Sequence, residues 1–197
     1  MGRPAAFDRD QVVHQVTDLF WKKGYLGTSI SDVVAATSLK PGSIYNSFDS
    51  KQKLLLEALD HYSSQSFERV QRCLQSSDGL MPALEQMVSQ LIDLAQGDPD
   101  ARGCLMLNIW LEMAAHDEVI TQYVQGVFER LEQELRAALE RAKTAGELRP
   151  EADPEMLAKY IMMTTWGIRV MSRARPDRAT LESLADQALM PVRALLA

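Results

Sequence analysis

Residues 28–54 read TSISDVVAATSLKPGSIYNSFDSKQKL, and the punctuation of this stretch decides the fold. Ser29 followed three residues later by Asp32 makes a capping box, which opens a short helix through Val33, Val34 and Ala36. Thr37-Ser38-Leu39-Lys40 then forms a turn. Pro41 suits the first position of the next helix, because the N–H it lacks would have no intrahelical partner there. Ile44 and Phe48, four apart, give that helix an inner face and leave Pro41, Gly42, Ser43, Tyr45 and Asn46 outside. Two short helices joined in this way form a helix-turn-helix, whose second member presents its first residues to base edges in a major groove. The same spacing also fits a surface hairpin of two short helices.

Working outward, Asp8 and Gln11 make another box, Phe7 and Val12 can staple its hydrophobic side, and Val12, Val16, Leu19 and Phe20 recur at helical spacing until Gly24. A helix over 9–23 is expected. After Asp49-Ser50, the stripe Leu55, Leu59, Tyr62, Phe67, Val70 and Leu74 predicts a long helix ending near Ser76-Ser77-Asp78-Gly79. Further helices are expected over 80–96, 103–115, 117–145, 154–174 and 177–196, and no alternating period-two run suggests a strand. The expectation is an all-α protein of nine helices. A three-helix head carrying the helix-turn-helix spans 1–50, and a six-helix body spans 51–197.

The 197 residues carry 21 Lys plus Arg against 27 Asp plus Glu, a net charge of -6 that excludes a globally basic protein. The charge is uneven. Residues 1–53 hold seven basic side chains against five acidic ones, so a modestly positive head sits on an acidic body, as a small nucleic-acid-binding domain requires. No run approaches the roughly 18 apolar residues of a membrane span, and Met1-Gly2-Arg3-Pro4 leads into charge without an apolar signal segment. Ala6 stands where a myristoylation motif following Gly2 wants Ser or Thr. Cys73 and Cys104 are too few and too far apart for a disulfide framework. A cytoplasmic location is expected. GxGxxG, GxSxG, HExxH and P-loop sequences are missing, so neither an enzyme nor a cofactor is expected, and a helical protein-interaction adaptor is the competing class.

Several side chains of the head suit DNA. Asn46 can pair bidentately with adenine, Ser43 can bond a base or a phosphate, and Gly42 removes a side chain where backbone approaches. Tyr45 offers a hydroxyl to phosphate. Lys51 and Lys53 fall in the first turn of the fourth helix, where the macrodipole disfavours cations, so their placement makes sense beside a phosphate. Thr28 and Ser29 are candidates for a second phosphate, and Lys40 at the threshold of the third helix joins the set.

Gly24-Tyr25, Thr28-Ser29-Ile30, Val33-Val34, Ala36, Ser43-Ile44-Tyr45-Asn46-Ser47-Phe48, Ser50-Lys51 and Leu54 together resemble the DNA-binding signature of TetR-type transcriptional regulators, over about residues 8–58. The resemblance implies a three-helix DNA-binding head and a helical ligand-binding and dimerisation body. It implies a ligand-released repressor whose Tyr45 and Lys51 hold phosphates while the start of the third helix reads bases. It further implies a homodimer, paired through the helices at 154–174 and 177–196, on a palindromic operator. One departure is Ser38, where the family commonly has glycine.

The body supplies no ligand by resemblance. Met106 and Trp110, and Met162 and Trp166, are bulky side chains able to line a pocket for an apolar or aromatic molecule between the sixth and eighth helices, or else plain core. Four-residue spacing brings Asn108, Glu112 and His116 to one face, which would orient a ligand if internal and meet solvent if external. Cys104 follows Arg102-Gly103 at a helix start, a setting that favours thiolate and suggests a redox or electrophile sensor, the alternative being a small buried residue. No metal site is expected.

Overall fold

Asp8 accepts the N–H groups of Asp10 and Gln11 and so starts α1, Arg9–Lys23, which closes at Gly24 with φ +76°. The computed structural model describes residues 7–76 and 78–197. The readings made on Gly2, Ala6 and Ser77 lie outside them. Ser29 caps α2, Ile30–Thr37, and its box with Asp32 is complete in both directions. Then follow α3, Pro41–Phe48; α4, Lys51–Ser76; α5, Leu80–Gln96; α6, Leu105–Met113; and α7, Glu118–Thr144. The last two are α8, Pro154–Met171, which runs into a 3-10 turn over Ser172–Ala174, and α9, Arg178–Arg193. Among the described residues the only extended pairing is an isolated bridge between Leu148 and Leu196.

Among the described residues nine α-helices stand where the periodicity places them; α1 and α5 have the expected bounds, and α6 to α9 are shorter at one end or both. The sixth was expected over 103–115 but starts at Leu105, because Gly103 sits at φ +74° and cannot belong to a right-handed helix. It stops at Met113, where the N–H groups of His116 and Asp117 both turn back to the Met113 carbonyl.

The chain packs as two compact units, each built from separated stretches. The first comprises 1–65 with 105–125, and the second 66–104 with 126–197. In the first, α1 packs on α2 and α6, and α2 on α3. Val16, Phe20, Val33, Ile44, Phe48 and Leu55 are core residues there. Burying Ile44 and Phe48 contributes about 2 kcal/mol each, enough to fix which face of the two-turn α3 is left outside. In the second unit α5, α8 and α9 pack on one another around a core that includes Leu84, Ile92, Ile161, Leu181 and Leu189.

Candidate functional site

The geometry of α3 is set by the turn before it. Ser38 adopts the left-handed conformation, φ 58° and ψ 13°, and its N–H donates to the Val34 carbonyl at 2.8 Å. Serine therefore makes the turn that glycine would make more cheaply. Lys40 is the extended residue at the start of α3, and no side chain caps that end. Pro41, Gly42, Tyr45 and Asn46 are exposed, Ser43 is half-buried, and space opposite Gly42 is open. The outward set read from the sequence is thus on the surface, around a helix N-terminus where Pro41 has no N–H and the Ser43 N–H already donates to the Lys40 carbonyl at 2.9 Å.

The supporting residues behave differently from one another. Lys51 lays its ammonium 4.2 Å from the centroid of the Tyr25 ring, a cation–π contact worth about 0.5–2 kcal/mol that offsets its misplacement in a helix's first turn. Burial pushes the Lys51 pKa down, while the carboxylates of Glu112 and Asp32 act in the opposite direction. Lys53 is held by Asp49 at 2.6 Å, so of the two lysines only Lys51 keeps the electrostatic misfit. Ser29 is exposed, and its hydroxyl is engaged with Asp32 in the cap. Asp32, which also pairs with Lys23 at 2.5 Å, is held far below the ordinary carboxylate range, first by that lysine and then by Ser29.

Thr28 requires a correction. Its side chain is 1% exposed, and its hydroxyl donates to the Gly24 carbonyl at 2.6 Å, so it braces the loop between α1 and α2 and presents nothing to a phosphate. The face expected from Asn108, Glu112 and His116 is also revised. His116 lies beyond the end of α6 on an exposed turn, whereas Glu112 is committed to the head. Its carboxylate accepts the N–H of Tyr25 at 2.9 Å and that of Leu26 at 2.7 Å. Asn108 is half-buried.

Sequence reasoning passed over Arg9. Its guanidinium stacks 4.4 Å from the Phe48 centroid, donates to the Ser47 carbonyl at 3.1 Å and pairs with Glu57, tying α1 to the last turn of α3. As a cation in the first turn of α1 it carries the same dipole mismatch that drew attention to Lys51, and that signal would have found it.

In the second unit, Trp166 packs on Phe128 with centroids 4.9 Å apart, and Met162 is buried. In the first unit, Met106 is buried and Trp110 half-buried. Cys104 is half-exposed, and the neighbouring Arg102 pairs with Asp98 at 3.0 Å. Cys73 is buried, and burial pushes its thiol pKa up. The outer faces of α8 and α9 carry Met156, Met163, Val170, Leu184 and Met190 in solvent.

Residues 16–58 match the family described as "Bacterial regulatory proteins, tetR family", and residues 81–188 match "Tetracyclin repressor-like, C-terminal domain". The chain belongs to the TetR family. It is a transcriptional regulator and not an enzyme. The regulator is 26% identical over 190 residues to the HTH-type transcriptional regulator YezE of Bacillus subtilis strain 168, covering 96% of this chain and 98% of that one. It is 27% identical to the transcriptional repressor ComR of Escherichia coli K12, covering 93% and 86%. Among solved structures, a cysteine-substituted CifR, a TetR-family regulator in complex with 26 bp of operator DNA, is 27% identical with a TM-score of 0.88, covering 96% of this chain and 98% of CifR.

Proposed function

We propose that the regulator is a homodimeric repressor that holds a palindromic operator with its two α3 helices and leaves it when a small molecule binds the body. The observation that carries this reading is the division of α3, with Ile44 and Phe48 spent on the core and Pro41, Gly42, Tyr45 and Asn46 exposed. Asn46 and Ser43 read base edges, Gly42 lets the backbone approach, and Tyr45, Lys51 and the start of α3 at Lys40 and Pro41 engage phosphates, while Ser29, its hydroxyl given to Asp32, serves the cap of α2. The operator complex of CifR supports the DNA half of the reading. The name of ComR supports the repressor half. The head, 1–50, is the DNA-binding domain, and 51–197 serves ligand binding and dimerisation.

The dimer reading rests on α8 and α9. Met156, Met163 and Val170 repeat every seven residues along α8, and Leu184 and Met190 are exposed on α9. Apolar groups this large, exposed together on two packed helices, mark a protein-binding surface. A two-fold interface of this kind matches inverted repeats in DNA. The ligand is apolar or aromatic, and Trp166, its indole half-buried and packed on Phe128 in the second unit, is the residue that senses it. Selecting genomic fragments on the immobilised protein and sequencing them tests the whole reading. An inverted repeat, bound by one dimer in sedimentation, is expected. Retention of unrelated duplexes without a shared repeat, or tight binding by a monomer, would overturn it.

A further inference from the structure

The loop 24–28, which ends α1 and precedes α2, is fixed from an unexpected quarter. Both carboxylate oxygens of Glu112, near the end of α6, are engaged by consecutive backbone amides, Oε2 by Tyr25 and Oε1 by Leu26. A negative group beside the C-terminus of α1 opposes that helix's dipole, so it is stable there only through the hydrogen bonds and cations it gathers. Gly24 leaves room for it, since a Cβ at that position would lie 2.8 Å from Oε2. The residue whose backbone Glu112 holds, Tyr25, is also the one whose ring carries the Lys51 ammonium. The next residue of α4 is anchored in parallel, with the Gln52 amide donating to Asp117 at 2.6 Å and Asp117 in turn capping the start of α7. Thr28 closes the other end of the loop on the Gly24 carbonyl.

We infer that Glu112 is a positioning residue for DNA binding: by clamping the Tyr25 and Leu26 amides it sets the aromatic seat on which Lys51 rests, and so directs the Lys51 ammonium to an operator phosphate. The inference rests on the proposed role of Lys51 and extends it to a residue of α6 that never touches DNA. It makes a prediction opposite in sign to simple electrostatics. Removing a negative charge from a DNA-binding protein should strengthen binding to a polyanion. Here it should weaken binding, because one N–H of the loop loses its acceptor and the seat of the lysine loosens.

The test is a double-mutant cycle on operator affinity with Glu112→Gln and Lys51→Met, in the full-length protein, with helical content and thermal midpoint recorded for each variant. Glu112→Gln is expected to weaken operator binding about tenfold and to flatten the dependence of affinity on salt by about one phosphate contact, as Lys51→Met does, with little further change in the double variant. A loss of equal size in both backgrounds, an unchanged salt slope, or tighter binding overturns the positioning role. Lys51→Met separates the two ideas: if that variant alone leaves affinity and slope untouched, the phosphate reading of Lys51 fails and the inference with it. If it weakens binding while Glu112→Gln does not, only the inference fails. Should Glu112→Gln unfold the head, Gly24→Ala approaches the same clamp from the other side: it should weaken binding and flatten the salt slope as Lys51→Met does, with little further change when the two are combined, and additive losses overturn the inference.

Discussion

Asn46 and Tyr45 sit side by side on α3 with different expected signatures. Asn46→Ala should cost roughly 1–3 kcal/mol on the preferred operator and little on unrelated duplex, because a base-edge contact is lost only where the base is right. Equal losses in a binding titration on the two DNAs would place Asn46 on a phosphate. Thr28→Val tests the corrected role of the buried hydroxyl: stability to urea should fall by about 1 kcal/mol, and the salt dependence of DNA binding should not change. Asp32 gives a pH signature. Its folded pKa lies below the ordinary 3.8, so its stabilising effect is complete above that value and is lost as pH falls toward the folded one. Asp32→Asn should therefore lessen the fall in stability between neutral and acid denaturation series. A variant as acid-sensitive as the parent would show that other carboxylates control that limb. At this scale the sequence was legible wherever a side chain acts on its own neighbours, as in the Ser29 and Asp32 box or the inward pair Ile44 and Phe48. It set Glu112 on a face with Asn108 and His116 and missed its partners, because no local pattern reveals that an acidic residue of α6 spends its oxygens on amides that precede α2.

Caps and periodicity placed the helices, since both are properties of short windows, and several ends were set a few residues too far out, as at Gly103 with φ +74°. Ser38, in the turn that the sequence did mark, has φ 58°. A non-glycine residue in that region costs about 1–2 kcal/mol, so Ser38→Gly should raise stability by about 1 kcal/mol, net of the extra freedom glycine brings to the unfolded chain, without altering operator preference. Urea midpoints and a binding titration measure the two halves of that expectation. On α9, leucines that look alike in sequence fall into two classes. Leu184 is 43% exposed, while Leu189 is 3% exposed and Leu181 fully buried, so the exposed large apolar side chains of α9 are Leu184 and Met190. Leu184→Glu should leave the fold intact and shift sedimentation toward monomer. Leu189→Ala should instead cost about 2–5 kcal/mol of stability, as a cavity in a packed core does. Period alone could not separate them, because which side of an amphipathic helix meets its own chain and which a second copy is decided by packing.

A boundary near residue 50 does not coincide with the packing of the chain. The first unit needs 105–125: α6 packs on α1, Glu112 clamps the loop at its end, Gln52 bonds Asp117, and the Tyr123 hydroxyl donates to Asp60 at 3.2 Å. A fragment of residues 1–65 lacks all of these partners and should show little fixed helix and no cooperative unfolding by circular dichroism. A sharp two-state transition in that fragment would establish an autonomous head. Interchange of heads between related regulators, in the laboratory or through recombination of genes, is constrained accordingly. A chimera joined at one point behind α3 inherits a foreign α6 beneath its α1, with no assurance of an acidic side chain opposite Gly24. A graft that also carries 105–125 brings its own clamp with it, so a working hybrid calls for a second exchange in the middle of the gene.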